Sequence, residues 1–505
     1  MKKITIVLFL IISLIGKSQN LALDSTFGNN GVVVDKTIGY VPKNIFFENN
    51  KYILVLNDGV CSRNYDGSKD TTFGNNGMVT FFTPTETFLT KGGKIQNGFI
   101  YVFGQVSNNN TSNNSNIFIA KISTSGVFDS TFGTNGLLKL DLGSNAEIIN
   151  DIVINPNGNI IAVGEKNAVI FMTKINSDGT LDTSLNTIGY KTFNFDANEN
   201  STGASIYNYQ GNYLLVGSSK YPSNIYNPTK YLVLINIDEN GNFINSFGTN
   251  GIKAIDISNG NTGSYTVLNS KLVSNNLYFS YYYSWSYNNQ HNSLLKYNLE
   301  SDIVSEITYV PSVYFDYVVD SNEDILITGT ERCSPTTESN CSRDFNISKK
   351  NSMGLLDTTF NSTGNYSYNF FPSDLISDDR SSLVYQHADG KIIIAGYIYN
   401  PYSPIGVGSI GLAIIRIMDS PLSNNEFYSK ENFVVSPNPA NKYINISYKE
   451  DIILDKIELI DSNGRQILFQ TKEFDKVNIE NLENGIYFIN IFSNDKKTTL
   501  KFIKN

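Results

Sequence analysis

Short apolar runs separated by polar turns dominate residues 23–419. Runs of about 4–8 apolar, largely β-branched residues bounded by Asn, Asp and Gly are typical of β-strands. Representative runs are residues 117–122, 169–175, 231–235 and 413–417. No long window combines a 3.6-residue periodicity with helix-capping residues. The pattern therefore predicts an all-β protein that is nearly free of helix.

A polar motif recurs between these runs. The sequence Asp-(Ser/Thr)-Thr-Phe-Gly-(Asn/Thr)-Asn-Gly occupies residues 24–31, 70–77 and 129–136, and weaker copies begin at residues 182, 245 and 357. The Phe or Leu of the motif falls at positions 27, 73, 132, 185, 247 and 360, and the last interval is about twice the mean of the others. A degenerate copy near residues 300–302 would restore the spacing. We therefore infer seven units of about 55 residues.

Each unit contains about four predicted strands, which is the size of a propeller blade. A lone sheet of this size cannot bury both faces, so neighbouring units must stack. We expect a seven-bladed β-propeller over residues 19–419. The last unit ends at Met418 without its own motif, and residues 23–31 precede the first full unit. Pairing this N-terminal strand with the last blade would close the ring; an open solenoid of seven β units is the alternative.

The motif has a structural explanation that needs no ligand. An Asp before a turn bonds its own backbone two residues on, Gly supplies a positive φ, and Phe fills the seam between blades. If Gly136 is left-handed, Gly136→Ala costs about 1–2 kcal/mol. The alternative makes each Asp a calcium ligand, but calcium needs about 6–8 oxygens, and Ile244 replaces the Asp in one copy. We therefore favour a turn. The residues assigned to it are Asp24, Phe27, Gly31, Asp70, Phe73, Gly77, Asp129, Phe132, Gly136, Asp357 and Phe360.

Residues 21–419 resemble the delta-sixty repeat family, whose repeat is built around an L-D-x-T-F-G-x-x-G core. The opening of that core is matched at residues 23–24, 128–129, 181–182 and 356–357. The resemblance implies a propeller-like exported protein. It implies no catalytic activity, because the family is defined by its repeat.

The N-terminus has the order of an export signal. Lys2 and Lys3 precede the apolar run 4–15, and small residues follow at 16–18. The run is too short to span a bilayer as a helix. We predict a cleaved signal peptide over residues 1–18 and no transmembrane segment after cleavage. A buried N-terminal strand and a membrane anchor are the alternatives.

Residues 420–432 interrupt the repeat and read as a linker. Beyond them, alternating runs at residues 443–448, 457–460, 465–469, 486–492 and 499–503 predict a compact antiparallel β-sandwich over residues 433–505. The runs are separated by turns rich in Asn, Asp and Gly.

This module resembles the C-terminal sorting domain of the type IX secretion pathway of Bacteroidetes. The matching residues are Pro437, Asn438, Pro439, Gly464, Gly485, Tyr487, Lys501 and Lys504. The resemblance implies recognition by the outer-membrane secretion machinery, followed by removal of the module and attachment of the cargo to the cell surface or its release. The alternative is an accessory carbohydrate-binding domain.

Composition and charge exclude several classes of function. The 505 residues have a formal net charge of −9 and a pI near 5.0, so there is no basic footprint for nucleic acid. Two His and three Cys leave little for a metal or thiol site, and we expect no cofactor. In an oxidising compartment Cys333 and Cys341 are a candidate disulfide, which leaves Cys61 unpaired.

A glycan or protein ligand has better support than a reaction. The aromatic side chains of Tyr281, Tyr283, Trp285 and Tyr287 form a candidate binding patch, although filling a seam is the simpler alternative. We expect His291 and His387 to be surface or turn residues and not general bases. For the acidic pair at residues 378–379 we favour a solvated loop over the pair of catalytic carboxylates of a glycosidase. The sequence thus predicts a secreted or cell-surface, non-enzymatic binding or adhesion protein. A secreted glycan-active enzyme on the same scaffold is the alternative.

Overall fold

In a computed structural model of the protein, the chain divides into two compact units, Met1–Asp419 and Ser420–Asn505. The structure describes residues 21–39, 41–81, 83–108, 115–143, 146–193, 200–220, 230–258, 264–286, 289–310, 315–329, 343–371, 378–400, 409–419, 433–448, 454–461, 465–474, 476–493 and 496–505. The predicted signal peptide and linker lie outside these residues.

The first unit opens with two short strands, β1 (Leu21–Leu23) and β2 (Val32–Asp35), and continues with six sheets of four antiparallel strands each. The first sheet has strands β3 (Asn44–Glu48), β4 (Lys51–Val55), β5 (Gly59–Asn64) and β6 (Met78–Thr80). The second has β7 (Glu86–Gln96), β8 (Phe99–Asn108), β9 (Ser115–Ser123) and β10 (Leu137–Leu140). The third has β11 (Glu147–Ile154), β12 (Ile160–Lys166), β13 (Val169–Ile175) and β14 (Tyr190–Phe193).

The next three sheets follow the same order along the chain. The fourth has β15 (Asn200–Tyr209), β16 (Asn212–Lys220), β17 (Lys230–Ile237) and β18 (Ile252–Asp256). The fifth has β19 (Ser264–Val273), β20 (Asn276–Ser286), β21 (Asn289–Asn298) and β22 (Val304–Val310). The sixth has β23 (Phe315–Val319), β24 (Ile325–Gly329), β25 (Phe345–Lys350) and β26 (Asn365–Tyr368). Within the described residues the helical content is one 3-10 turn, Leu185–Thr187.

The seventh sheet is completed by the N-terminus. Its own strands are β27 (Asp378–Gln386), β28 (Ile392–Asn400) and β29 (Ser409–Asp419). Both β1 and β2 pair antiparallel with β29, with Leu23 opposite Ile417 and Val32 opposite Ile415. The pairing that the sequence predicted for the N-terminal strand is therefore present, and it covers the edge that β29 would otherwise expose.

Consecutive sheets share buried apolar cores, and the seventh sheet shares one with the first. That last core joins Tyr52 and Leu54 of the first sheet to Ile393 and Leu412 of the seventh. A Phe or Leu of the recurrent motif is buried in six of these cores: Phe27, Phe73, Phe132, Leu185, Phe247 and Phe360. The seam-filling role predicted for the motif is confirmed at these positions. The sheets have the arrangement of a β-propeller.

The closing copy of the motif makes the same backbone bonds as the internal copies. In the second sheet Asp129 N donates to Lys121 O (2.9 Å), and Lys121 N donates to Gly136 O (2.9 Å). In the seventh sheet Asp24 N donates to Arg416 O (2.8 Å), and Arg416 N donates to Gly31 O (3.0 Å). The N-terminal motif thus occupies the place that the last unit leaves empty in its own sequence.

The second unit has two antiparallel sheets around one core. One contains β30 (Phe433–Ser436), β31 (Tyr443–Tyr448) and β34 (Val477–Asn478). The other contains β32 (Lys456–Asp461), β33 (Gln466–Gln470), β35 (Gly485–Ser493) and β36 (Lys496–Lys504). Ile444 and Val477 of the first sheet are buried with Leu459, Ile489 and Phe502 of the second.

Candidate functional site

The carboxylate of the repeated motif is engaged in a turn. Asp129 Oδ1 accepts hydrogen bonds from Thr131 N (3.1 Å) and Thr131 Oγ1 (2.6 Å), and Asp129 Oδ2 is 2.7 Å from Lys121 Nζ. The same bonds to the residue two positions on are made by Asp24, Asp70 and Asp357. The turn interpretation is confirmed, because these oxygens are already satisfied within the protein.

The electrostatics of the motif follow from these bonds. Burial alone would raise the pKa of Asp70, but hydrogen bonds from Lys51, Thr72 and Ser62 outweigh it and lower the pKa to about 2. No group of three or more His, Cys, Asp or Glu that could hold a metal ion occurs in the part of the chain that the structure describes.

Two motif glycines show why other residues are excluded. Gly136 has φ = 88°, and a Cβ there would lie 2.7 Å from the Cβ of Phe128. Gly31 has φ = 92°, and its added Cβ would lie 2.5 Å from the Cβ of Leu23. Left-handed backbone and close approach together make Gly the residue that fits.

The N-terminal motif has a more deeply buried partner than the motif of the second sheet. Arg416 is fully buried, and its Nε donates to Asp24 Oδ2 (2.8 Å). Its Nη1 donates to Tyr65 O (2.6 Å), and its Nη2 donates to Thr26 Oγ1 (2.9 Å). The guanidinium carbon also lies 4.8 Å from the ring centre of Phe27. One side chain therefore joins the last strand, the N-terminal motif and the first sheet.

The aromatic patch predicted on β20 is partly interior. Tyr281 and Tyr283 are buried in the core between the fourth and fifth sheets, where the ring of Tyr265 lies 5.2 Å and 4.8 Å from theirs. These two side chains are core residues and not a surface platform, because the inward face of β20 packs against the preceding sheet. Trp285 belongs to β20, but its side chain and the whole of Tyr287 lie outside the described residues.

The cysteine and histidine predictions have different outcomes. Cys61 is free and buried, and burial raises the pKa of its thiol to about 12. Cys333 and Cys341 lie outside the described residues, as does the side chain of His291. His387 begins a turn, which is one of the two positions expected for it, but its ring is buried and its Nε2 is 2.8 Å from Tyr52 Oη.

The acidic pair at residues 378–379 is not in a loop. Both residues belong to β27, and Asp379 is completely buried. Asp379 Oδ2 accepts a hydrogen bond from Phe370 N (3.2 Å), and Asp379 N donates to Arg343 O (2.9 Å). The expectation of a solvated loop is wrong, because Asp379 ties β27 to the preceding sheet.

The candidate site is a cavity of about 660 Å³ lined by the first strand of every sheet in the propeller, β3, β7, β11, β15, β19, β23 and β27. Five of these strands have an irregular register at the same point, before Gly92, Asp151, Ser205, Asn269 and Leu383. Such bulges re-aim side chains and are common near binding sites. The residues at this level of the cavity are Lys43, Lys91, Asn150, Ala204, Leu268, Phe315 and Ser382.

On β3, β11 and β23, the residue that follows this level of the cavity forms a hydrogen bond to the neighbouring sheet. Asn44 Oδ1 accepts from Gly93 N (2.8 Å), Asp151 Oδ2 from Ile206 N (3.1 Å), and Asp316 Oδ2 from Val384 N (3.2 Å). These equivalent bonds show that the three residues occupy the same position in their sheets. Lys43 and Lys91 each lie one residue before this position, Lys43 in the first sheet and Lys91 in the second, so the two lysines are equivalent neighbours in adjacent sheets.

The two carboxylates of the cavity are also paired with lysines. Asp151 Oδ1 is 3.0 Å from Lys94 Nζ, and Asp316 Oδ1 is 3.5 Å from Lys271 Nζ. Each therefore accepts a backbone hydrogen bond and neutralises a cation. Neither is placed as the free acid or nucleophile that glycoside hydrolysis needs.

Lys43 and Lys91 differ from the other two cavity lysines. Within the described residues neither ammonium has an ion pair or a hydrogen bond. Burial lowers the pKa of Lys43, and the charge of Lys91 lowers it further. Burial also lowers the pKa of Lys91, against an opposing effect of Glu165. Two uncompensated cations therefore face one cavity of an acidic protein.

The phase of the repeat marks this pair of lysines in the sequence. Lys43 precedes the turn residue Asn49 by six positions, and Lys91 precedes the turn residue Asn97 by six positions. The two lysines thus have the same phase in adjacent repeats. The exposure of Lys91 to the same cavity as Lys43 depends on the bulge in β7, which the periodicity does not show.

In the second unit, most of the predicted sorting residues come together. Asn438 Oδ1 accepts from Ile503 N (2.9 Å), and Asn438 Nδ2 donates to Lys501 O (3.2 Å), so the turn at residues 437–439 is tied to β36. Gly485 pairs with Lys504, and the ring of Tyr487 stacks on Phe502 at 5.7 Å. Gly464 lies outside the described residues.

The comparison with protein families identifies this second unit. Residues 434–505 match the family described as the secretion system C-terminal sorting domain. The unit is therefore a sorting domain of the type IX secretion pathway, and it implies export to a secreted or cell-surface location. Among the curated proteins none matches the chain.

Solved structures with a similar course of the chain include proteins of several kinds. An exo-1,5-alpha-L-arabinanase from a bovine ruminal metagenomic library is 13% identical, with a TM-score of 0.31 over 52% of this chain and 94% of that one. The Pan2 WD40 domain of Neurospora crassa is 8% identical, with a TM-score of 0.37 over 79% and 96%. Prolyl oligopeptidase B from Galerina marginata is 10% identical, with a TM-score of 0.39 over 90% and 55%. These likenesses are too weak to transfer a function.

In the part of the chain that the structure describes, no helix has the length and apolarity needed to cross a membrane.

Proposed function

We propose that the chain is an exported, non-enzymatic binding protein, in which a seven-bladed propeller presents its central cavity to a ligand. The ring proposal is supported by the core shared between the seventh and first sheets and by the pairing of β1 and β2 with β29. An open solenoid would leave both of these faces without a partner.

The observation that carries the binding proposal is the unequal engagement of charges in the cavity. Asp151 and Asp316 each accept a hydrogen bond from a backbone amide and are paired with a lysine, so their oxygens already have partners within the protein. Lys43 and Lys91 have no such partner among the residues that the structure describes. Free cations beside fixed carboxylates suit recognition better than acid–base catalysis.

The test uses a panel of polysaccharides and glycoproteins, with retention of the purified protein and released products read together. Saturable retention without products is the expected result. Released products that disappear on substitution of one cavity carboxylate, such as Asp151→Asn, would replace this proposal by the alternative of a glycan-active enzyme.

The route of delivery is a second part of the proposal. We infer that a signal peptide over residues 1–18 takes the chain to the periplasm, and that the C-terminal β-sandwich then directs it through the outer membrane and is removed. A chain lacking residues 433–505 should accumulate, folded, in the periplasm of the native host. Its presence on the cell surface would refute the sorting role; fractionation with protease accessibility measures this.

A further inference from the structure

The cavity has an excess of positive charge at one side. Four lysines line it, Lys43, Lys91, Lys94 and Lys271, against the two carboxylates Asp151 and Asp316. Lys94 and Lys271 are each paired with one of those carboxylates. The two remaining cations stand at equivalent positions of the first and second sheets, in a chain whose formal net charge is −9.

Such a pair is costly to keep without a counterion. Lys43 is half-buried and Lys91 is exposed, and the repulsion between their charges adds to the cost of burying Lys43, so both effects lower the pKa of Lys43. An anion placed between them would relieve the repulsion and form charge-assisted hydrogen bonds with both.

The rest of the cavity wall selects among anions. Leu268 and Phe315 lie on the fifth and sixth sheets, across the ring from the lysines, and Leu268 is exposed. Asn150 lies beside Lys91 in ring order, and its Nδ2 donates to Gly203 O (2.8 Å), which leaves the carboxamide oxygen as an acceptor. A ligand that fits has an anionic group at one side, hydroxyl donors beside it and an apolar face opposite.

We propose that the cavity binds an acidic sugar, whose anionic group lies between Lys43 and Lys91. Sugar rings combine hydroxyl groups with apolar C–H faces, so they match this wall better than an inorganic anion does. The cavity volume of about 660 Å³ lies in the range of small-ligand sites. This proposal rests on the binding function proposed above and specifies its ligand class.

The experiment is calorimetric titration of the full-length protein with three probes of similar size. These are an oligogalacturonate, a sulfated oligosaccharide and a neutral oligosaccharide. The acidic sugars should bind and the neutral one should not, and the affinity should fall as salt is raised, because both charges are partly solvated. The two acidic probes distinguish a carboxylate from a sulfate ester as the recognised group.

The variant that tests the site is Lys43→Gln combined with Lys91→Gln. We expect its affinity to fall at least about tenfold, because charge-assisted hydrogen bonds are lost on both sides of the anion. The matched control is Lys36→Gln with Lys472→Gln, which removes the same charge at two exposed lysines without an ion pair. The control should bind like the parent protein. Should the double Gln variant fold poorly, Lys43→Arg with Lys91→Arg keeps both charges and should keep binding.

The outcomes separate this proposal from the broader one. Equal binding by the parent protein and the double Gln variant, or preference for an acidic peptide over every acidic sugar, would overturn the assignment of ligand and site. The binding function would still stand if the glycan panel retains the protein. Breakdown of the bound oligosaccharide would instead overturn the non-enzymatic function itself.

Discussion

The seam where the N-terminal motif meets the seventh sheet (the closing seam) and an internal seam use the same motif with different chemistry. In the second sheet, Lys121 and Asp129 are eight positions apart in the chain, and their side chains are 12% and 13% exposed. In the seventh sheet, Arg416 and Asp24 are 392 positions apart, and their side chains are 0% and 3% exposed. The same backbone geometry therefore places a partly exposed ion pair between residues close in the chain at one seam, and a buried ion pair between distant residues at the other.

The difference follows from what each pair must hold. Asp129 stays beside Lys121 because a short turn connects them, so a flexible Lys with one point charge is sufficient. Asp24 reaches Arg416 only when the N-terminal strands have paired with β29, and the loop-closure entropy must be offset by contacts. Arg supplies several donors in a fixed plane and also stacks on aromatic rings. At the closing seam, Arg416 alone therefore makes hydrogen bonds to Asp24, Thr26 and Tyr65.

The largest expected effect is from Arg416→Met. Removing one partner of a buried ion pair costs about 3–5 kcal/mol, because the other charge stays buried without compensation. Lys121→Met should cost about 1–3 kcal/mol, since it removes one hydrogen bond to a charged group at a partly open site. Urea unfolding of both variants measures the difference. Equal losses would show that the closing seam has no special role; Arg416→Lys is the milder variant if Arg416→Met does not fold.

The next effect concerns the motif glycines. Gly31→Ala in the closing seam and Gly136→Ala in the internal seam should each cost about 2–4 kcal/mol, from left-handed backbone and from overlap of the new Cβ with its neighbour. Gly98 has φ = 77° with no atom within 4 Å of an added Cβ, so Gly98→Ala is the control for backbone strain alone. Thermal unfolding compares the three. If Gly31→Ala lowers the stability no more than Gly98→Ala does, the N-terminal motif is not tightly packed against its neighbours.

Acid should weaken the motif through its carboxylates. The pKa of Asp70 is about 2 in the folded protein and near 3.8 when unfolded, so the stabilisation is present above pH 4 and is lost as the pH falls toward 2. The shift corresponds to about 2 kcal/mol. The pKa of Asp24 is also lowered, with burial opposed by Thr26 and Arg416. In Asp70→Asn, the loss of urea stability between pH 7 and pH 3 should shrink; an unchanged loss would contradict the assignment.

The smallest effect distinguishes the two seams through their Phe residues. Phe132→Leu should cost about 1 kcal/mol, because Leu185 fills the same place in the third sheet. Phe27→Leu should cost about 0.5–1 kcal/mol more, because the guanidinium of Arg416 lies 4.8 Å from the Phe27 ring centre, whereas Lys121 Nζ lies 5.8 Å from the Phe132 ring centre. Adding Arg416→Lys to each Phe variant completes a double-mutant cycle. Coupling should be found for Phe27 and not for Phe132.

Much of the fold could be predicted from local patterns. Apolar runs and turns identified the strands, and the phase of the motif identified the Phe side chains that fill the seams. The sequence did not show the bulge in β7 that brings Lys91 to the same cavity as Lys43, because a bulge changes side-chain direction without changing composition. Tyr281 and Tyr283 fill a seam, which was the simpler alternative to a binding patch. The sequence misplaced Asp379, whose burial depends on the neighbouring sheet.

The sequence by itself determined the β-rich repeat and the turn chemistry of Asp129 and Gly136, because these rest on contacts between residues close in the chain. It also identified the sorting domain, because the motif residues of that domain are recognisable in the sequence although their contacts are long-range. The tertiary structure alone decided that Arg416 meets Asp24 and that two lysines share a cavity. Those contacts require a particular number of sheets, a particular curvature and a particular bulge. Local propensity constrains none of the three, because they are properties of how whole sheets pack.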